Sequence, residues 1–128
     1  MAKILIVDDS PMQVKILRKM LEKLGHTVYE GDSGEAGIRL TENYLPDLVM
    51  LDVVMPDING FDATRQIRKN PKTKSIPIVL VSSKAQETDK QWGMRQGANG
   101  YLVKPFNKTE LMEVVGSFLG KQAEQAAG

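Results

Sequence analysis

The sequence predicts an open α/β domain of the (βα)5 type, a doubly wound sheet of five parallel strands with helices on both faces. Three observations carry this. Five short apolar runs alternate with longer amphipathic stretches along the chain. The runs show little polar alternation, as strands buried on both faces do. Strand–helix alternation with short loops demands right-handed crossovers, which place helices on both sides of the sheet. The 128 residues suit one domain, and 41% apolar residues suffice for its core. Residues 1–120 are expected to form that domain, with residues 121–128, polar and rich in Ala and Gln, as a flexible tail.

Residues 4–7 form the first run, followed by Ser10-Pro11-Met12-Gln13. That segment supplies a cap residue, a proline in the first helical position and a Gln in the third. Val14, Leu17, Leu21 and Leu24 then line one helical face, and Gly25 ends it. Residues 28–30 are the weakest strand run. Residues 33–44 form the second helix, halted at Leu45-Pro46. The third strand covers residues 48–51, and the third helix residues 60–69, closed by Asn70-Pro71. Residues 78–81 and 86–96 are the fourth strand and helix, the helix ending at Gly97. Residues 101–103 are the last strand, and the capping box Asn107-x-x-Glu110 opens a fifth helix through Leu111, Val114, Val115 and Phe118. Gly25, Gly60 and Gly97 read as ordinary helix-boundary residues.

Composition removes several function classes. Seventeen basic and sixteen acidic residues leave a charge of +1, no field for nucleic acid or an anionic membrane. The absence of cysteine excludes disulfides and thiolate metal sites. The first apolar stretch is too short for a signal peptide or a membrane span. A cytoplasmic protein without membrane insertion or nucleic-acid partner is expected.

Ligands of open α/β sheets bind beyond the carboxyl ends of the strands. There the first strand delivers Asp8-Asp9, the third Asp52, the fourth Ser82-Ser83 and the fifth Lys104-Pro105. Singly, each has a bland reading: a helix cap, a strand-end carboxylate, a serine after a strand, a solvated lysine. A cap role for Asp8 and Asp9 is redundant beside Ser10, and three carboxylates together repel unless neutralised. One lysine against three acids leaves about −2, which a divalent cation balances. Oxygen ligands select Mg²⁺ or Mn²⁺ over zinc, held by Asp8 and/or Asp9, Asp52 and the backbone carbonyl of Val54. Such a site can receive a phosphoryl group: Asp52 attacks, Lys104 offsets charge and Ser82 donates a hydrogen bond. The resulting acyl phosphate is labile, which suits a switch.

Four segments together resemble the CheY-like receiver domains of two-component response regulators, over about residues 2–120. They are Ile6-Val7-Asp8-Asp9-Ser10, Leu51-Asp52-Val53-Val54-Met55-Pro56 with Asn59-Gly60, Ser82-Ser83-Lys84, and Gly97-Ala98 followed by Tyr101-Leu102-Val103-Lys104-Pro105-Phe106. The resemblance implies a flavodoxin-like strand order of 2-1-3-4-5. It also implies Asp52 as phosphoacceptor, Asp8 and Asp9 as metal acids, Ser82 as switch hydroxyl, Tyr101 as switch aromatic and Lys104 as phosphate-binding lysine. The Lys104–Pro105 bond is expected to be cis, aiming the lysine inward. Residues 86–97, Gln-Glu-Thr-Asp-Lys-Gln-Trp-Gly-Met-Arg-Gln-Gly, carry a narrower likeness to PilH-type regulators of type IV pilus chemosensory systems controlling twitching motility. Two departures stand out. Ser82 replaces the commoner Thr, and Val54, beside the expected phosphoryl group, has no polar atom to orient water.

In such a switch, phosphorylation draws Ser82 toward the phosphoryl oxygens and Tyr101 rotates into the vacated space. The face of helix 4, strand 5 and helix 5 changes, including Lys90, Met94, Tyr101 and residues 108–112. Trp92 either packs over its helix neighbours or anchors a partner, and Gly93 and Gly97 are expected against the sheet, turning it partly outward. Met12 and Met55 are expected to pack beside the acids. A CheA-like histidine kinase is the expected donor, with a target protein bound at that face and the chain a monomer or transient dimer. With no output module in view, the signal is expected to pass by protein binding, the alternatives being a phosphate sink or an adaptor independent of phosphorylation. An Asp-nucleophile phosphatase would need a second carboxylate at Val54. A flavodoxin-like cofactor binder would need a phosphate-cradling loop where Asp8-Asp9-Ser10 stands. The chain is therefore expected to accept a phosphoryl group and lose it slowly, without being a turnover enzyme.

Overall fold

The computed structural model describes residues 2–127, and the side chains of residues 2–119. Five strands and five helices alternate: β1 (Lys3–Val7), α1 (Pro11–Lys23), β2 (Thr27–Gly31), α2 (Gly34–Tyr44), β3 (Leu48–Asp52), α3 (Gly60–Lys69), β4 (Ile78–Ser82), α4 (Glu87–Gln96), β5 (Gly100–Val103) and α5 (Lys108–Ala127). All neighbouring strands are parallel, in the order β2-β1-β3-β4-β5. The expected fold and strand order are both found. The tail expected over residues 121–128 lies outside the described side chains. Among the described residues no helix is long and apolar enough to cross a membrane.

Strands alternate their side chains between faces, so a run apolar at every position supplies two cores. Ile4, Ile6, Met50, Val79, Val81 and Leu102 point to one face, covered by α1 through Val14, Leu17 and Leu21 and by α5 through Leu111, Val115 and Leu119. Leu5, Val7, Val49, Leu51 and Leu80 point to the other, covered by Ala63 and Ile67 of α3, with Ile38 and Leu40 of α2 at its margin. Each fully buried Leu or Ile contributes about 1.5–3 kcal/mol. The anticipated caps form: Ser10 Oγ accepts from Gln13 N, and Asn107 and Glu110 exchange reciprocal bonds of 2.8 and 3.2 Å.

Every strand is longer than its apolar run. β3 extends through Asp52 and β4 through Ser82, so these two polar residues close their strands in register, Asp52 beside Val81 and Ser82 beside Val103. β2 is an edge strand with only Val28 and Gly31 buried, hence its faint signal. Its Glu30 pairs with Arg18, and Tyr29 stacks on Tyr44 with ring centroids 4.5 Å apart.

α4 is thinly attached, with Gly93 its one buried residue. A Cβ on Gly93 would come within 2.6 Å of Leu80 Cδ1, so this glycine does lie on the sheet. Gly97 does not: it abuts the side chain of Arg68 from α3. Arg68 clamps this end of the helix, its Nε donating to Gly97 O at 2.8 Å, Nη1 to Ile76 O at 2.7 Å and Nη2 to Asn99 Oδ1 at 2.6 Å. At the opposite end Gln86 makes no side-chain cap bond.

Candidate functional site

The chemistry-bearing residues meet at the carboxyl edge of the sheet because four strands end there. Asp8 follows β1, Asp52 closes β3, Ser82 closes β4 and Lys104 follows β5. Asp8, Asp9 and Asp52 each bring a carboxylate oxygen within 4.8 Å of the others. Lys104 Nζ donates to Asp8 Oδ2 at 2.9 Å and lies 3.8 Å from Asp52 Oδ2. The Lys104–Pro105 bond is cis. Asp8 is buried, and its second oxygen accepts from Ser10 N at 2.9 Å, so both oxygens are held. Asp9 stays exposed.

Burial holds the Asp52 carboxyl above the usual carboxylate range; Lys104 pulls it down and Asp8 pushes it up. The lysine compensates only part of the acid cluster. An all-oxygen donor set with an excess of negative charge fits a hard divalent cation, with water completing its coordination. Asp8, Asp9 and Asp52 are the side chains that could hold it. Val54, two residues beyond Asp52, is 57% exposed, and its N–H reaches Asp52 Oδ1 at 3.4 Å.

Ser82 and Tyr101 meet at one residue. Ser82 is buried and its Oγ accepts from Lys84 N at 3.1 Å, while the Tyr101 hydroxyl donates to Lys84 O at 2.7 Å. The two side chains thus grip opposite sides of the Lys84 backbone. Lys90, Trp92 and Met94 stand apart from the acids on α4, with Trp92 and Met94 each 48% exposed. Met55 is buried as expected, but Met12 is 70% exposed and does not pack beside the acids.

Two residues matter here more than their sequence suggested. Gly60, expected as an ordinary boundary, is a close-approach glycine: a Cβ would lie 2.4 Å from the Asp52 carbonyl oxygen, and its N–H donates to Val53 O at 2.8 Å. Asp57, read only as part of the loop after Asp52, accepts from Gly34 N at 3.0 Å and from Glu35 N at 2.9 Å. The Glu35 N–H leads the backbone donors that hold the Asp57 carboxyl below the usual range. A loop motif could flag the glycine; nothing local could flag a partner 23 residues upstream.

The response regulator receiver domain profile matches residues 4–116. The chain belongs to the response-regulator receiver family. Protein PilH of Pseudomonas aeruginosa is 49% identical over 119 residues, covering 93% of this chain and 98% of that protein. Among solved structures, the chemotaxis protein CheY4 of Vibrio cholerae superposes with a TM-score of 0.88 at 31% identity, over 93% of this chain and 99% of that one. A sensor histidine kinase receiver domain from Pseudomonas aeruginosa, with a magnesium ion coordinated in its active-site cleft, superposes with a TM-score of 0.86 at 30% identity, over 93% and 98%. This receiver therefore shares its fold with a magnesium-bound relative and most of its length with PilH.

Proposed function

We propose that this receiver is a phosphorylation switch in which Asp52 takes a phosphoryl group from the phosphohistidine of a CheA-like kinase. The observation that carries the reading is the clustering of three carboxylates within 4.8 Å of one another, with Lys104 Nζ touching Asp8 and approaching Asp52. An Asp52 oxygen attacks phosphorus as the P–N bond to the kinase imidazole breaks, leaving an aspartyl phosphate. Lys104 pairs with one phosphoryl oxygen, and the Ser82 hydroxyl, whose oxygen already accepts from Lys84, donates its proton to another. Mg²⁺, with Mn²⁺ as a substitute, would be held by Asp8, Asp9, Asp52 and the Val54 carbonyl and would offset negative charge on the phosphoryl group. Val54 cannot orient a water, so the phosphoryl group is lost slowly and the protein is a substrate of its kinase, not a phosphatase.

The output follows from the shared grip on Lys84. Drawing Ser82 toward the phosphoryl group pulls the Lys84 backbone, and Tyr101, bonded to its carbonyl, moves with it. The surface that changes is α4-β5-α5, with Lys90, Trp92, Met94, Tyr101 and Met112 available to a target protein. The identity with PilH and the PilH-type character of residues 86–97 support a place in chemosensory control of type IV pilus twitching motility, inside the cytoplasm.

Mixing the protein with Mg²⁺ and acetyl phosphate or beryllofluoride while following Trp92 fluorescence tests the switch. The wild type should respond and Asp52→Asn should not. An Asp52→Asn protein that keeps both the response and its affinity for a partner would end the scheme. Phosphotransfer profiling against candidate kinases identifies the donor.

A further inference from the structure

We propose that Asp57 is a positioning residue for the metal site, anchoring the loop after Asp52 to α2 so that the Val54 carbonyl is preset for a divalent cation. The proposal rests on the phosphoryl-acceptor reading above. Residues 53–59 have no regular secondary structure, yet they must present one backbone carbonyl in a fixed place. Three anchors constrain them. Gly60 N bonds Val53 O at the end nearest α3, Met55 is buried, and Asp57 spans the first two backbone donors of α2 with one oxygen on each. The loop and helix also touch: a Cβ on Gly34 would fall 2.4 Å from Ile58 O. α2 donates these two bonds because its first-turn N–H groups lack intrahelical partners, and a carboxylate is the favoured acceptor there.

The chain between Asp57 and Val54 is stiff enough to transmit the anchor. Pro56 fixes its own φ and confines Met55 to extended conformations. With Asp57 tied down and Met55 buried, the Val54 carbonyl has little freedom left. Ser33 completes the same helix start by accepting from Ala36 N at 3.1 Å, a bond within the α2 side rather than to the loop. Glu35 carries an equal charge in the same turn and is exposed.

These neighbours supply the controls. Mg²⁺ binding is measured by calorimetry at about 0.15 M ionic strength, where charges more than about 8 Å apart are screened. Amide hydrogen exchange is followed in the metal-free protein. In Asp57→Ala the Mg²⁺ affinity should fall about tenfold, and the amides of Met55 and Ile58 should exchange faster before any metal is added. Asp57→Asn, which keeps one accepting oxygen, should fall between Asp57→Ala and the wild type. Ser33→Ala should lower the urea midpoint and Glu35→Gln should remove a charge, both with Mg²⁺ affinity within about twofold of wild type. Asp57→Ala binding Mg²⁺ as tightly as the wild type, or Ser33→Ala or Glu35→Gln matching its loss, overturns the assignment. A wild type that binds no Mg²⁺ and takes no phosphoryl group from acetyl phosphate overturns the underlying reading instead.

Discussion

Replacing Gly60 by alanine tests how the fold seats Asp52. The added Cβ would stand 2.4 Å from the Asp52 carbonyl oxygen and 2.9 Å from Val53 Cα. An ordinary non-bonded separation is about 3.5 Å, so the start of α3 and the end of β3 must part by about 1 Å. Neither neighbour can swing aside, because both are backbone. Overpacking of this kind costs about 1–3 kcal/mol, and the strained Gly60–Val53 bond adds up to about 1 kcal/mol. Better helix propensity returns at most about 1 kcal/mol. The balance is a loss of about 2 kcal/mol, or about 8 °C in Tm for a domain of this size. Gly116, exposed in α5 with nothing within 4 Å of its added Cβ, is the matched control. Gly116→Ala should stabilise by about 0.5–1 kcal/mol. Urea unfolding followed by circular dichroism reads both, and equal stability of Gly60→Ala and wild type refutes the close-approach argument.

Other consequences are equally open to measurement. Burial raises the Asp52 pKa, so its contribution to stability is fully present below the unfolded value of 3.8 and is lost as pH rises through the folded one. Metal-free Asp52→Asn should therefore melt above the wild type at neutral pH, with the gap closing toward 3.8; melting curves that stay parallel contradict this. Val54→Asn places an amide where a water can be oriented and should shorten the phosphorylated lifetime by roughly tenfold, so an unchanged decay of radiolabelled protein counts against the role given to Val54. His26, whose Nδ1 accepts from Ala2 N at 3.3 Å, has its pKa lowered chiefly by burial. Its share of stability is present above the unfolded value of 6.5 and lost as pH falls through the window below it. Wild-type stability should drop there more than that of His26→Asn, and a flat wild-type curve rules it out.

The legible part of this protein is what strand ends and helix caps carry locally. Asp8, Asp52, Ser82 and Lys104 could be placed together because each directly ends or follows an apolar run, and the topology brings those ends to one edge. Helix starts at Ser10 and Asn107 were legible because their caps bond residues three positions on. β2 was faint because an edge strand with two buried positions writes little into composition. Asp57, Arg68 and the Lys84 backbone were not legible as site-shaping features. Each acts through main-chain atoms elsewhere in the fold, and Arg68 reaches a carbonyl 29 residues away. Side-chain identity says little about which backbone it will meet.

The Arg68 clamp makes α4 a cantilever. Its root at Gly97 is bolted to α3, its one buried residue lies four positions from that root, and the end that follows Lys84 carries no side-chain cap. Ten residues of helix make an arm about 15 Å long, so a tilt of about 10° at the root sweeps the free end through about 2.5 Å. The free end is the one that adjoins the acid cluster's edge of the sheet. A partner that grips α4 near Lys90 samples much of that sweep, whereas one that grips near Arg95 feels almost none.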